Sequence, residues 1–506
     1  MSVGMVLSSC ASGSGTGAKQ GSNFSKGEAL VIADEAQPSS GLDPIMAQAF
    51  DAKRMVSQFY EGLLELGPDG RTVRPALATK WEKVTPTRYE FTLRNGASFH
   101  NGDLVTAQDV VFSLKRIMDP KQNSPYRALY RIKSVTAPDA HRVVIDLSGP
   151  QASLLRLLAQ PWSGGIVDKK WVSSKSTDQL KTQENGTGPY ALTKYQEGAF
   201  IKTAAFKKYW GGAAKVKAVT YRVMPDEATR VQALQSGAIQ MTEVRLARNR
   251  DQLKKAGLNI GDTYNTGAYW LAMNTTEGPL SDIRVRRAIN LGVDRDQLIK
   301  IGAQGAGEPS GVVPPGDPLG SKVGKDMPYY KHDPAEAKRL LAQTGKKNIT
   351  ITMAIRADSP EKLATAQLVA EQLGKIGVKV KIQQVEWSHL VDAILSGHWN
   401  ADMVQLSAAL NADPSQYVSL WFAKGGPATK VNDPKLWKMM DAAVDDATTD
   451  QERTQDYAKI NRYVAEKAYM LIPYASTTAW EVWTRGLTFK TEVSNTRLFL
   501  KDASGK

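Results

Sequence analysis

Cysteine is almost absent from this sequence, which has one such residue, Cys10, among 506. A single thiol cannot form a disulfide within the chain, and it cannot build a metal site from several thiolates. The five histidines, at positions 100, 141, 332, 389 and 398, show neither a His-Glu-x-x-His motif nor a pair four residues apart. We therefore predict structural or surface roles for the histidines, and neither a metal site nor a cofactor.

The sequence also lacks long apolar runs and dense runs of positive charge. No stretch approaches the roughly 18 consecutive apolar residues of a membrane span. Lysine and arginine exceed aspartate and glutamate by 65 to 51, which gives a formal net charge of +14. These basic residues are spread along the chain, and no zinc-finger spacing accompanies them. The pattern favours a solvated basic surface and no nucleic-acid partner.

Sequence signatures of enzymes are missing as well. The chain has no Gly-x-Ser-x-Gly motif and no P-loop. Gly305 and Gly307 do not form a dinucleotide-binding fingerprint, because Pro309, Pro314 and Pro315 occupy the region where its helix would begin. We therefore predict that the protein is not an enzyme, with a secreted hydrolase as the rival hypothesis from that class.

The only cysteine lies between an apolar segment and a linker of small residues. Residues 3–7 are apolar, two serines precede Cys10, and residues 11–17 are rich in glycine and serine. This order resembles a bacterial lipobox, which implies that Cys10 carries lipid. No lysine or arginine precedes Lys19, and the apolar run is shorter than a signal peptide needs. We expect a truncated or misassigned start; the alternative is a disordered tail with a chance cysteine.

Strands and helices are predicted in alternation along the chain. Apolar and polar residues alternate at 89–93 and 141–147, which is typical of half-buried strands. Thr106 and Asp109 form a capping pair before an apolar stripe of helical spacing that Pro120 ends.

Further along, a helical stripe at 368–376 ends at Gly377 and is followed by an alternating strand at 378–382. Residues 29–33 read as a buried strand, and 433–470 as two helices. This mixture predicts the α/β class.

A series of short motifs resembles one known family. In order they are LDP (42–44), YEGLL (60–64), PALA (75–78), LRNG (93–96), FHNGD (99–103), TAQDVVFS (106–113), GTGPY (186–190), YWGG (209–212), ALQSG (233–237), LAMNT (271–275) and RVRRAI (284–289). The series resembles family 5 of the bacterial extracellular solute-binding proteins, the oligopeptide- and dipeptide-binding group. The resemblance covers nearly everything from about residue 28 to 490.

The resemblance implies the type II fold of periplasmic binding proteins, with two lobes around a hinge and a ligand cleft. The expected segments are a truncated lipoprotein signal and linker (1–27), a first lobe (28–66, 185–273 and 474–506), an accessory domain on it (67–184) and a second lobe (274–473). The chain is expected to cross between the lobes near 270 and near 475. A ligand that touches both lobes at once favours the closed arrangement.

The function implied by the resemblance is solute capture for an ABC importer. The expected ligand is a peptide or peptide-like solute, which the protein delivers to the permease subunits. The expected location is outside the cytoplasm, either lipid-anchored to the outer face of the cytoplasmic membrane or in the periplasmic space. We expect a monomer that contacts the membrane through the lipid alone.

The resemblance also implies which residues line the cleft. Peptide-binding relatives contact their ligand with the loop after the Leu-Asp-Pro motif, which here contains Gln48 and Phe50. They place a tryptophan after the strand at 378–382, which corresponds to Trp387; a position in the core is the alternative. The segment 406–414 corresponds to the loop that grips the ligand. Further candidates are Tyr126, Tyr269, Trp270 and Trp480.

One position departs from the peptide-binding pattern. Relatives place an acidic residue three positions before an Asp-Pro pair, to hold the peptide's ammonium group. Here that position is Leu410, counted back from Asp413. Either Asp413 or a carboxylate from another segment replaces the missing acid, or the ligand has no free ammonium there. We prefer the last alternative, which includes blocked or modified peptides and non-peptide ligands such as an oligosaccharide, an opine or a siderophore-like molecule.

Overall fold

The computed structural model describes residues 24–38, 40–47, 50–263, 268–324, 326–357, 360–406, 413–422, 424, 428–444, 449–476, 479–491 and 498–506. Its strands are β1 (Leu30–Asp34), β2 (Leu64–Leu66), β3 (Val73–Pro75), β4 (Ala78–Thr85), β5 (Arg88–Leu93), β6 (Ile132–Thr136), β7 (Arg142–Leu147), β8 (Tyr190–Gln196), β9 (Phe200–Ala205), β10 (Ala218–Val223), β11 (Met241–Val244), β12 (Asn259–Thr263), β13 (Trp270–Met273), β14 (Gly307–Glu308), β15 (Thr350–Arg356), β16 (Lys379–Val385), β17 (Met403–Leu406), β18 (Met470–Leu471), β19 (Ala475–Ser476), β20 (Ala479–Trp483), β21 (Leu487–Thr488) and β22 (Ser504–Gly505).

Helices alternate with these strands, as the α/β prediction requires. They are α1 (Phe50–Phe59), α2 (Ala107–Met118), α3 (Leu154–Leu157), α4 (Pro161–Gly164), α5 (Lys169–Ser173), α6 (Thr177–Thr182), α7 (Glu227–Gln235), α8 (Ala247–Lys255), α9 (Ile283–Gly292), α10 (Arg295–Ile301), α11 (Pro334–Ala342), α12 (Pro360–Lys375), α13 (Trp387–Ser396), α14 (Ser415–Phe422), α15 (Pro434–Ala443) and α16 (Asp450–Lys467). Among the described residues, no helix is both long enough and apolar enough to cross a membrane.

Two mixed sheets form the centres of the molecule. The seven-stranded sheet has the order β12-β20-β11-β1-β10-β9-β8, with β1 parallel to both of its neighbours. The five-stranded sheet has the order β16-β15-β17-β13-β18, with β15 parallel to β16 and β17. Parallel neighbours need crossover helices, which explains why helices lie between these strands in the sequence.

A four-stranded antiparallel sheet, β4-β5-β7-β6, lies beside the first of these sheets. In β5 the side chains of Tyr89, Phe91 and Leu93 are buried while their neighbours are exposed. Val143 and Ile145 of β7 are buried in the same way. The alternation predicted from the sequence is therefore confirmed, and it places one face of this sheet on the core.

The helix boundaries follow local chemistry that the sequence displays. At the start of α2 the Asp109 carboxylate accepts a hydrogen bond from the Thr106 amide at 2.9 Å, and the helix ends before Pro120. After α12, Gly377 adopts a φ of +90°, a conformation that favours glycine, and β16 begins two residues later. The capping pair and the glycine end predicted from the sequence are both confirmed.

The buried side chains divide the chain into two lobes around separate cores. We call the described residues in 24–263 and 479–506 the first lobe, and those in 268–476 the second lobe. Among the described residues each buried cluster draws its members from one lobe only, and Ala306 of the second lobe is half-buried against the smaller cluster of the first. The four-stranded sheet shares its core with the first lobe.

The chain passes between the two large sheets twice. It leaves the seven-stranded sheet after β12 and enters the five-stranded sheet at β13; it returns between β19 and β20. The connecting residues 264–267 and 477–478 lie outside the described residues. Two crossings between two cores give the two-lobe type of fold, while the domain boundaries at 273/274 and 473/474 stay predictions.

Candidate functional site

A cluster of charged side chains lies at the start of α1, next to the expected ligand loop. Arg54 of α1 is 2% exposed and forms a two-pronged ion pair with Glu481 of β20. Its Nε atom lies 3.4 Å from the Asp34 carboxylate at the end of β1. The guanidinium stacks 5.7 Å from the ring centre of Phe50, the first residue of α1.

A second arginine approaches the same aromatic ring from β11. The Arg245 guanidinium lies 6.0 Å from the Phe50 ring centre. It donates hydrogen bonds to Glu243 at 2.9 Å and to Glu35 at 3.0 Å. Together with the pair on Arg54, four carboxylates contact the two guanidiniums here.

The protonation of this cluster reflects burial and the neighbouring charges. Burial raises the pKa of Asp34 to about 6, although the charge of Arg54 opposes the shift. Burial also raises the pKa of Glu481 above its ordinary value, again against Arg54. Burial lowers the pKa of Arg54, but the two carboxylates outweigh it, so its pKa lies above the ordinary value. The arginine is therefore charged at every physiological pH, whereas Asp34 titrates near neutrality.

Asp413 is the centre of a second buried network, in the second lobe. Its side chain is fully buried. It accepts hydrogen bonds from Arg453 at 2.9 Å, from the Ser415 amide at 3.0 Å and from the Tyr457 hydroxyl at 3.4 Å. Burial raises the pKa of Asp413, but the charges of Arg453 and Arg156 outweigh it and hold the pKa below its ordinary value. The carboxylate is therefore ionised and already paired.

The second arginine on Asp413 comes from the first lobe. Arg156 of α3 lies 3.5 Å from the Asp413 carboxylate and forms an ion pair with Asp450, the first residue of α16. Nearby, the buried Asp317 accepts hydrogen bonds from the Tyr417 hydroxyl at 3.1 Å and from the Leu319 amide at 3.0 Å. Burial raises the pKa of Asp317 to about 7, and the charge of Asp413 adds to the shift.

The aromatic candidates in the second lobe lie in its core. Trp270 is fully buried, donates from Nε1 to the Val312 carbonyl at 3.1 Å and packs edge-on against Trp421 at 4.6 Å. Tyr269 is 1% exposed, and its hydroxyl donates to the Lys362 carbonyl at 3.3 Å. These contacts give both side chains a packing role, and their contact with a ligand stays a prediction.

The aromatic candidates in the first lobe are buried too. The Tyr126 hydroxyl donates to the carbonyl of Ala47, the residue just before the expected ligand loop. Burial raises its pKa well above the ordinary value, so the hydroxyl stays protonated. Trp480 of β20 is 2% exposed, with the Arg250 guanidinium 4.6 Å from its ring centre. Tyr126 therefore positions the approach to the loop, whereas Trp480 packs within the sheet.

The remaining predicted residues cannot be placed in the same detail. Gln48, Leu410 and Cys10 lie outside the described residues. Trp387 is the first residue of α13, directly after the β16 strand, and its side chain is not described. Their roles stay predictions from the sequence.

Sequence reasoning missed the buried arginines and their partners. A signal for Glu481 was present, because it is the only charge in the buried strand β20, and a buried charge requires a partner. Arg156 shows a similar signal within an apolar stretch, since α3 also buries Leu154 and Leu157. What the sequence could not supply was the identity of the partners, which are distant along the chain.

Two other features of the first lobe belong to its structure. The His100 ring bonds to Glu184 at 2.8 Å and to the Gly188 carbonyl at 3.0 Å, which agrees with the structural role predicted for it. A cavity beside Glu61 and Tyr209 is lined by first-lobe residues alone and does not lie between the lobes. In the described part of the chain, no group of three metal-ligating side chains comes together.

Comparison with known proteins gives a family match over most of the chain. The model described as "Bacterial extracellular solute-binding proteins, family 5 Middle" matches residues 72–429. The "Probable di/tripeptide-binding protein 5" of Pseudomonas aeruginosa (strain UCBPP-PA14) is 29% identical over 490 residues, which cover 89% of this chain and 90% of the relative.

Solved structures show the same architecture. The structure of the periplasmic binding protein AgaA in complex with agropinic acid, from A. tumefaciens R10, is 25% identical, with a TM-score of 0.79 over 95% of this chain and 99% of the other. The murein tripeptide-binding protein MppA, in its unliganded open form, is 25% identical, with a TM-score of 0.75 over 96% and 99% of the two chains. Another structure of Escherichia coli MppA, 24% identical, gives 0.81 over 95% and 99%.

Proposed function

This chain belongs to the bacterial extracellular solute-binding proteins, family 5, and we propose that it captures a peptide or peptide-like solute for the permease of an ABC importer. The observation that carries the peptide assignment is the similarity to a di/tripeptide-binding relative over 89% of the chain. Binding rather than catalysis is the role we assign, because the family is one of solute-binding proteins. The ligand lies between the lobes and holds them together.

The residues we assign to the cleft come from both lobes. In the first lobe, the loop that contains Gln48 and Phe50 is the segment we assign to ligand contact. The guanidiniums of Arg54 and Arg245 lie against the Phe50 ring. In the second lobe, the contacts are the segment 407–412 and Trp387. The β17 strand precedes this segment, and the buried Asp413 follows it.

The ligand we favour has no free ammonium group at the Leu410 position. Burying an unpaired ammonium costs several kcal/mol, and about 1.4 kcal/mol is a tenfold loss of affinity. The network around Asp413 supports this choice, since Arg453 and Arg156 already match its charge. A blocked or modified peptide fits this site better than a plain dipeptide or tripeptide.

A non-peptide ligand is the second candidate. The AgaA structure, 25% identical over nearly the whole chain, is a complex with agropinic acid. If a free ammonium does bind, Glu35 is the carboxylate we would assign to it, because its side chain, which pairs with Arg245, is 44% exposed, whereas Asp413 is fully buried.

Mass spectrometry of the ligand released on denaturing the purified protein tests the ligand class. We expect peptide-type masses, blocked or modified at the amino end. Release of an intact sugar or opine would contradict the peptide assignment while leaving solute binding in place. Recovery of a chemically altered ligand after incubation with the protein would favour the hydrolase instead.

Titration calorimetry with trialanine and N-acetyl-trialanine tests the ammonium argument. We expect the acetylated peptide to bind more tightly, and the Leu410→Asp variant to gain affinity for trialanine by roughly tenfold. Tighter binding of trialanine to the unmodified protein, lost in Glu35→Gln, would show that another carboxylate holds the ammonium. No change in Leu410→Asp would show that residue 410 is not the ammonium position.

The protein's place outside the cytoplasm follows from its family, and we assign it a lipid anchor at Cys10. Residues 11–17, which are rich in glycine and serine, then separate the anchor from the lobes. We assign a monomer to the working form, because one chain supplies both walls of the cleft.

A further inference from the structure

Arg156 connects the first lobe to the second. It belongs to α3, where Leu154 and Leu157 anchor the helix in the core of the first lobe. Its guanidinium reaches into the second lobe, where Nη1 lies 3.5 Å from Asp413 and Nη2 bonds to Asp450. The arginine side chain is 7% exposed; its pair with the fully buried Asp413 is shielded from water, whereas the Asp450 side chain is 54% exposed.

The partners of Arg156 lie at the starts of two helices of the second lobe. Asp413 lies just before α14, and its carboxylate also accepts the amide of Ser415, the first residue of that helix, at 3.0 Å. Asp450 begins α16, so Arg156 also holds one of the long helices of the second lobe.

Other contacts between the lobes occur on the same side of the molecule. The Ala152 amide donates to the Val444 carbonyl at 3.2 Å, at the end of α15. At the tip of the β2–β3 hairpin, a Cβ added to Gly70 would lie 3.4 Å from Pro318 of the second lobe. The three contacts together form a seam between the four-stranded sheet region and the second lobe.

The ion pairs of Arg156 can break when the lobes separate and form again when the lobes close. When the lobes separate, Asp413 keeps Arg453, which bonds it from within the second lobe at 2.7 Å. Asp450 is 54% exposed and is solvated by water. Separation therefore leaves no isolated charge in the interior, which would otherwise oppose opening.

We propose that Arg156 is a positioning residue that clamps the first lobe onto Asp413 and Asp450 of the second lobe and stabilises the closed arrangement. The proposal rests on the proposed function, because it assumes that the ligand binds between the lobes. Ligand contact and the ion pairs of Arg156 then both oppose separation of the lobes. Arg156 therefore contributes to binding without touching the solute.

Distance measurements by electron resonance test the clamp without a ligand. Spin labels replace exposed Glu82 of β4 and exposed Lys438 of α15 in a Cys10→Ser background. We expect Arg156→Met, which keeps the apolar stem, to lower the ratio of closed to open lobes roughly threefold or more. Arg156→Lys should restore most of the closed population, because it returns the charge.

Two further variants act as controls. Asp450→Asn removes a partner that is half exposed, so it should fold normally and shift the lobes in the same direction as Arg156→Met. Arg142→Gln removes an arginine of the same region that pairs with Asp139 of its own lobe at 2.6 Å, and should leave the distances unchanged. Unchanged distances in both Arg156→Met and Asp450→Asn would overturn the clamp.

Binding measurements separate the clamp from the ligand assignment. With trialanine and N-acetyl-trialanine as probes, the clamp predicts weaker binding of whichever peptide binds the unmodified protein. If neither peptide binds but the distances shift, the peptide assignment fails while the clamp stands. If a peptide binds equally well to Arg156→Met and to the unmodified protein, Arg156 does not contribute to ligand capture, and the proposal fails.

Discussion

Individual buried charges set the chemistry of both halves of the candidate site. Asp413 is the clearest example, because the sequence predicts it as a ligand contact and the structure surrounds it with Arg453 and Arg156. The Asp-Pro pair was visible in the sequence, but its arginine partners were not, since each lies far from it along the chain. A sequence can therefore indicate that a residue is important without indicating which residues it pairs with.

Asp317 gives a prediction at this scale. Its pKa is about 7 in the folded protein, against an ordinary value of 3.8, because it is buried and lies near Asp413. The folded state therefore binds more protons than the unfolded state between these values, so this residue makes the free energy of unfolding fall as pH rises from about 4 to 7. Asp317→Asn should remove that fall and raise the stability at pH 8 by about 1–4 kcal/mol.

Urea denaturation at pH 5 and pH 8 measures the effect of Asp317→Asn. At pH 5 the gain in stability from the substitution should be clearly smaller than at pH 8, because only the first part of the fall between pH 4 and 7 has then occurred. The exposed Asp262 offers a matched substitution, Asp262→Asn, which should leave both values unchanged. A difference between Asp317→Asn and the unmodified protein that is equal at both pH values would show that the carboxyl does not titrate in this range.

The helices and strands that depend on residues close together in the sequence were predicted well. The alternating strands β5 and β7, the capped helix α2 and the glycine that ends α12 all follow from residues within a few positions of one another. The second helical pair, α15 and α16, was also predicted within 433–470. Each of these patterns is decided by neighbours in the chain, which a sequence displays directly.

The helices and strands around the candidate site were harder to predict, because their contacts join residues that are far apart in the sequence. The cluster at Phe50 joins α1 with the ends of β1, β11 and β20, which meet only because the seven-stranded sheet pairs β11 with β20 and β1. The short helix α3 offers no periodic pattern that would assign it a role. Sheet order, rather than periodicity, determines which charges meet, and the sequence alone does not give that order.

The capping of α2 yields a prediction at the scale of an element. The Asp109 carboxylate is buried and accepts the Thr106 amide at 2.9 Å and the Lys169 amide at 3.1 Å. Asp109→Ala leaves both amides without this acceptor, and an unsatisfied buried donor costs about 1–3 kcal/mol. We expect the free energy of unfolding to fall by about 2 kcal/mol.

Thermal or urea denaturation measures this loss against a surface control. Asp178→Ala removes a helix carboxylate of the same region whose side chain is 88% exposed and pairs with Lys181. That substitution should change the stability by less than about 0.5 kcal/mol. Equal effects of the two substitutions would mean that the cap at Thr106 contributes little to the stability of α2.

At the scale of the whole molecule, two cores joined by two crossings explain how a ligand can control shape. Each lobe keeps its own buried cluster, so the lobes can move apart without exposing a core. What resists separation is a small number of polar contacts, with Arg156 among them. The fold class and the two lobes could be predicted from the family resemblance, because they depend on many motifs in order rather than on any single contact.

Attachment to the membrane is the remaining property of the whole molecule, and two mechanisms compete for it. A net charge of +14 attracts the protein to anionic lipid by itself, whereas a lipid on Cys10 holds it through the hydrophobic effect. Salt separates the two, because at about 1 M the screening length falls to roughly 3 Å. Expressed from the full gene in a bacterium that processes lipoproteins, the unmodified protein should stay in the membrane fraction after a 1 M salt wash. The Cys10→Ser variant should be released; equal retention of both forms would contradict the lipid anchor.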